Sequence, residues 1–135
     1  MHVNPGKEII DFSWSEFDLA VDVMVEEFKS SDTSHIEKIL ALPRGGLPLG
    51  VALSHKLDLP LITYTYQITR APHANVLVVD DIADSGETLQ SISKELKNSM
   101  YYVIHYDDNS IFQPDFSYVS NKGCWISYPW ESKNV

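Results

Sequence analysis

Residues 76–88 read Val-Leu-Val-Val-Asp-Asp-Ile-Ala-Asp-Ser-Gly-Glu-Thr: four apolar residues, two adjacent carboxylates, a polar turn with one glycine, and a helical pattern opening near Glu87. The unbroken apolar run 76–79 suits a central strand of a parallel sheet covered on both faces. Asp80 and Asp81 then fall where that strand ends and the crevice of an open α/β sheet begins. The loop 84–88 turns its backbone N–H groups toward whatever lies above the next helix, a geometry suited to phosphate. The stretch therefore predicts an acidic pair able to bind a diol or a metal, set beside a phosphate cradle. The same letters also fit a plain strand–loop–helix of the receiver or metal-phosphatase kind, in which Asp80 or Asp81 would accept a phosphoryl group.

The rest of the composition narrows the class. At 135 residues the chain is expected to form one domain, 1–135, around a single core. A hydrophobic share of 44% with mixed charges fits a globular fold. A net charge of −9 argues against a nucleic-acid-binding surface, which needs a basic stripe. No apolar run approaches the ~20 residues that span a bilayer, and residues 1–8 lack the apolar centre of a signal peptide. The one cysteine, Cys124, precludes an internal disulfide and is read as buried packing, with a reducing cytoplasm as the expected location. An anionic ligand would have to be held by local donors, because the unfavourable overall field is screened within ~8 Å at physiological salt.

Taken in order, residues 1–12 predict an extended lead-in. Ser13 with Glu16 forms a capping box, and Trp14, Phe17, Val21, Met24 and Phe28 recur at helical spacing as a core-facing stripe. A strand is expected over 36–42, then Pro43-Arg44-Gly45-Gly46-Leu47-Pro48. The paired glycines allow backbone to approach a ligand closely, Pro48 suits a first helical turn, and Arg44 is the cation placed to grip phosphate or pyrophosphate. The helix completed by 51–57 ends at Asp58, and a strand follows over 61–66. Residues 67–75 link to the signature strand, with Arg70 and His73 as candidate ligand contacts. A helix over 87–98, a strand over 101–106 ending in Asp107-Asp108-Asn109-Ser110, and short strands over 116–119 and 125–128 complete the chain. The pattern predicts an α/β fold: an open, mostly parallel twisted sheet flanked by helices, with a small C-terminal hood of short strands.

Two acidic residues ahead of a D-S/T-G-x-T loop resemble the phosphoribosyl pyrophosphate (PRPP) signature of type I phosphoribosyltransferases. Arg44-Gly45-Gly46 has the form of that family's pyrophosphate loop. Trp125-Ile126-Ser127-Tyr128-Pro129-Trp130-Glu131 is similar to the W-I-x-x-P-W-D/E ending of short bacterial xanthine–guanine phosphoribosyltransferases. The likeness covers nearly the whole chain in the right order. It implies Mg²⁺-dependent transfer of a 5-phosphoribosyl group from PRPP to a nucleobase, giving a nucleoside monophosphate and pyrophosphate, in a homodimer or homotetramer.

By that likeness Asp80 and Asp81 hold the ribose hydroxyls, with Asp81 also near the metal. Asp84, Ser85, Gly86, Glu87 and Thr88 grip the 5-phosphate, and Arg44, Gly45 and Gly46 hold the pyrophosphate. Asp84 takes the proton lost by the base. Trp125 stacks on the base while Ile126 offers its backbone carbonyl to the ring edge. Asp107 stands where 6-oxopurine enzymes carry a lysine; a carboxylate there would accept from an exocyclic amine or ring N–H, which leaves the base open. Alternatively Asp107 is a solvated turn residue. Tyr101, Tyr102 and Trp130 are candidate subunit-contact aromatics. A competing reading on the same scaffold is a non-catalytic PRPP- or nucleotide-binding regulator.

Overall fold

The computed structural model describes residues 7–63 and 74–132. Its elements are β1 (Ile9–Asp11), α1 (Trp14–Ser30), β2 (Lys38–Ala41), α2 (Leu47–Leu57), β3 (Leu61–Thr63), β4 (Val76–Ala83), α3 (Glu87–Ser93), β5 (Met100–Tyr106), β6 (Phe116–Ser120) and β7 (Trp125–Ser127). The far end of the strand expected over 61–66, and Arg70 and His73 of the 67–75 link, lie outside the described residues.

Five strands form one wholly parallel sheet in the order β3-β2-β4-β5-β6. Period-two alternation divides its side chains between two layers. Ile39, Leu77, Val79, Tyr102 and Ile104 join the cluster built by Phe17, Val21, Met24 and Phe28 of α1 and Leu49 and Leu53 of α2. Leu40, Val76, Val78, Tyr101 and Val103 pack with Leu89 and Ile92 of α3 on the opposite face. Each fully buried Leu or Ile side chain contributes roughly 1.5–3 kcal/mol. Tyr101 and Tyr102 thus belong to the core, one on each face, and not to an exposed contact surface. No helix among the described residues is long and apolar enough to cross a membrane.

Local chemistry sets the helix ends. Ser13 Oγ accepts the N–H of Glu16 at 3.1 Å, the N-cap bond expected for α1, and its hydroxyl also donates to the Glu16 carboxylate at 3.2 Å. Trp14 departs from its expected place in the stripe. It is 53% exposed and lies edge-on to Phe17, tilted against Trp130. Asp58, at φ 53°, caps α2 in the left-handed region. The helix expected over 87–98 stops at Ser93: Ser93 Oγ takes the Gln90 carbonyl at 2.7 Å, and the N–H groups of Glu95 and Leu96 both turn back to Ile92. A serine hydroxyl bonding back to the preceding turn competes with the helical ladder.

A second sheet pairs β1 with β7 in parallel, Ile9 opposite Trp125 and Ile10 opposite Ile126. The hood is therefore made from both the lead-in and the C-terminal segment, while β6 joins the main sheet.

Candidate functional site

Strand order reverses between β2 and β4, which is the switch point where open α/β sheets bind ligands. β2 ends its pairing at Ala41 opposite Val79, whereas β4 continues beside β5 to Ala83. The strand therefore runs past the acid pair instead of ending before it. Asp80 and Asp81 have a strand neighbour on the β5 side and a crevice on the β2 side.

Burial is the first cause pushing both carboxyls up. Asp80 is raised to about 9, with the charge of Asp81 adding to the burial, and Asp81 is raised as well. Asp80 Oδ1 accepts the Asp81 N–H at 2.8 Å, and Asp81 Oδ1 accepts the Ile82 N–H at 2.8 Å. Two such carboxylates require a cation, a hydroxyl donor or a shared proton. Among the described residues no group of three or more His, Cys, Asp or Glu is placed to cage a metal. A magnesium ion ordinarily takes one or two carboxylates and completes its shell with water and substrate phosphates, so this pair fits Mg²⁺ held jointly with a ligand.

Three chambers meet on residues 80–84. The first, of about 100 Å³, is lined by Asp80, Asp84, Ser85, Gly86 and Thr88 among others. Gly86 lies at φ 84°, and a Cβ there would strike Ser110 Oγ and the Phe112 N–H. The Ile111 N–H donates to the Ser85 carbonyl at 2.8 Å. The turn 107–112 is thus a brace beneath the loop 84–88. Glu87 is exposed and its side chain does not line the chamber.

The second chamber, a cleft of about 750 Å³, is lined by Arg44, Gly45, Asp81, Trp130 and Glu131 among others. The peptide between Pro43 and Arg44 is cis. A Cβ on Gly45 would overlap the Asp81 carboxylate, so glycine lets the two loops close on each other. Gly46 plays a different part from Gly45. Its N–H is spent on the Leu42 carbonyl at 2.8 Å and its Cα faces the Val79 and Leu42 carbonyls, so it shapes the turn without lining the cleft.

The third chamber, of about 180 Å³, is lined by Asp81, Asp84, Trp125, Ile126, Tyr128, Asn121, Cys124, Glu131 and Lys7 among others. Trp125 and Ile126 are therefore brought together with Asp84. Asp107 is not among the lining residues. Its carboxylate accepts from Asn121 Nδ2 at 2.9 Å and from the Asn109 N–H at 2.8 Å, bonds that hold it below the usual carboxylate range. The wall position expected for Asp107 is taken by Asn121, whose Oδ1 also accepts the Gly123 N–H at 3.0 Å. Cys124 is only half-buried and faces this chamber, contrary to the reading as buried packing.

Besides Asn121, two residues lining this chamber escaped the sequence reading. Tyr128 donates to the Asp81 carbonyl at 3.1 Å, and its oxygen pairs with His105 Nδ1 at 2.8 Å. With the tyrosine proton on Asp81, Nδ1 must carry the histidine proton. Burial pulls His105 down to about 4, so the ring is neutral at physiological pH. Lys7 is the other, sitting in a segment whose letters carry no motif.

No protein-family model matches the chain. It is 24% identical over 114 residues to a xanthine-guanine phosphoribosyltransferase of Cereibacter sphaeroides, covering 69% of this chain and 68% of that one. The solved purine phosphoribosyltransferase of Pyrococcus horikoshii superposes with a TM-score of 0.80 at 24% identity, over 95% of this chain and 97% of that one. The xanthine-guanine-hypoxanthine phosphoribosyltransferase of Helicobacter pylori gives a TM-score of 0.76 at 22% identity, over 92% and 94%.

Proposed function

We propose, for a chain that has the type I phosphoribosyltransferase fold, that it transfers the 5-phosphoribosyl group of PRPP to a purine base, as in purine salvage. The observation that carries the reading is the meeting of three chambers on residues 80–84, since PRPP and an acceptor together present a 5-phosphate, a pyrophosphate and a base around one ribose.

The 5-phosphate would enter the Asp84–Thr88 loop and meet its N–H groups and the Ser85 and Thr88 hydroxyls. Arg44 and the Gly45 backbone would hold the pyrophosphate across the cleft, the guanidinium offering paired donors. Asp80 and Asp81 would accept from the ribose hydroxyls, and Asp81 with ligand oxygens and water would hold Mg²⁺. When bound, the ion supplies positive charge against the pyrophosphate oxygens. Trp125 would present a ring face to the base, worth roughly 1–3 kcal/mol, beside the Ile126 carbonyl.

In the transfer, the bond from ribose C1 to pyrophosphate oxygen breaks and a bond from C1 to a base nitrogen forms. Arg44 stabilises the charge that gathers on the leaving group. The proton shed by the base passes to Asp84, which borders both the phosphate and base chambers. A cytoplasmic location and a homodimeric or homotetrameric state belong to the same proposal.

Pyrophosphate release across a panel of purines and pyrimidines tests it. Asp84→Asn should lower turnover by about 10²–10⁴-fold, the range of general-base contributions, and leave PRPP binding within a few-fold of the parent. Equal loss of binding and turnover would remove Asp84 from the proton-accepting role.

A further inference from the structure

The geometry points to Lys7 as the residue that reads the acceptor, its ammonium donating to a carbonyl on the ring of the base. This rests on the transferase reading above and names the feature of the base that the site selects.

Among the described residues lining the base chamber, Lys7 is the only cation, against the carboxylates of Asp81, Asp84 and Glu131. The other side-chain donors of the chamber are neutral, and the Trp125 indole N–H is buried without a partner. One Asn121 Nδ2 proton goes to Asp107, and the Tyr128 hydroxyl donates to the Asp81 carbonyl. A ring carbonyl entering this chamber would therefore find its charged donor in Lys7. The backbone holds the lysine in place: the Glu8 carbonyl accepts the Trp125 N–H at 2.8 Å, and Ile9 pairs with Trp125 across the small sheet. Lys7 thus directly precedes a residue bonded to the backbone of Trp125, the residue on which the base would stack.

Asp107 completes the arrangement from behind the chamber wall. It orients Asn121, and Lys7 lies close enough for its charge to help keep Asp107 ionised, after the larger effects of Asn121 and Asn109. The carboxylate that stands in place of the expected lysine thereby supports a lysine arriving from the segment ahead of β1. An ammonium has three donors and no acceptor. It pairs with a carbonyl oxygen and has nothing to offer an exocyclic amine. The site should accept oxo-substituted rings and disfavour amino-substituted ones at the same edge.

Calorimetric titration of the full chain and of Lys7→Met and Lys7→Arg with IMP, GMP and AMP, alongside pyrophosphate release with hypoxanthine, guanine and adenine, tests this. The parent should bind IMP and GMP about 10- to 100-fold tighter than AMP, the range for one hydrogen bond to a charged group. Lys7→Met should shrink that preference to within about 3-fold, with Lys7→Arg keeping most of it and both variants binding PRPP within about 2-fold of the parent. A parent that prefers AMP, or a preference untouched in Lys7→Met, would overturn the assignment even if pyrophosphate is released. Lys7-dependent preference without pyrophosphate release from any base would support the assignment and defeat the transferase reading.

Discussion

Consider Asp80→Asn, a change of one atom type in the most perturbed carboxyl of the crevice. Asparagine keeps an oxygen to accept the Asp81 N–H, now made at 2.8 Å, so the loop has no steric reason to move. Asp80 titrates near 9 in the folded chain against 3.8 for the ordinary group, chiefly because it is buried and then because Asp81 repels its charge. Between about pH 4 and pH 9 the folded state therefore holds a proton that the unfolded state has released, and stability falls as pH rises through that window. At pH 8 the gap is about four pH units. At 1.36 kcal/mol each, this sets a ceiling of about 6 kcal/mol, which relaxation and water entry should lower to about 2 kcal/mol. Urea unfolding at pH 4, 6 and 8 should show the variant gaining about 2 kcal/mol over the parent at pH 8 and under about 0.5 kcal/mol at pH 4. The same variant should lose PRPP–Mg²⁺ affinity by about 100-fold, because a neutral amide accepts less strongly from ribose hydroxyls and from a cation. A stability difference that stays constant across the pH series, or a variant less stable than the parent at pH 8, would refute the account of a strained acid pair.

Gly45→Ala should leave the unfolding curve near that of the parent but weaken PRPP by about 10-fold or more, because its Cβ would displace the Asp81 carboxylate; titration with PRPP and Mg²⁺ measures it. Tyr128→Phe orphans the Asp81 carbonyl and His105 Nδ1 together, and should cost about 1–3 kcal/mol by denaturant unfolding; a loss under about 0.5 kcal/mol would remove this relay from the site's support. His105, pulled down to about 4 by burial, contributes stability that is complete above about pH 6.5 and lost as pH falls toward 4. His105→Gln should flatten that acid limb in thermal melts between pH 4 and 7.

The parallel core and the turn over 84–88 that opens α3 were legible because their signals are local. A run of four β-branched and leucine residues, a glycine that must take positive φ and a serine N-cap each act within a few residues of themselves. What the letters hid depends on partners distant in sequence. The extent of β4 is set by where β2 departs and β5 remains, so the strand end could not be placed from 76–83 alone. Asp107 carries the same charge in a solvated turn as in a bond to Asn121, fourteen positions away. Lys7 becomes a chamber residue only because β1 lies against β7. Trp14 fits the helical period, yet that period continues to one edge of the buried face, and the side chain there packs on Trp130 with half its surface in water.

The parallel pairing of residue 9 with residue 125 also gives the molecule a history. A ribosome adds roughly 5–20 residues per second, so β1 waits on the order of ten seconds for its partner strand. During that interval the residues of the 84–88 loop and of the strands that flank it have already been made, while the chamber lined by Trp125 and Ile126 lacks its floor. A nascent chain would thus have made every residue of the small chamber over 80–89 well before it completed either of the other two, whose linings both include Glu131.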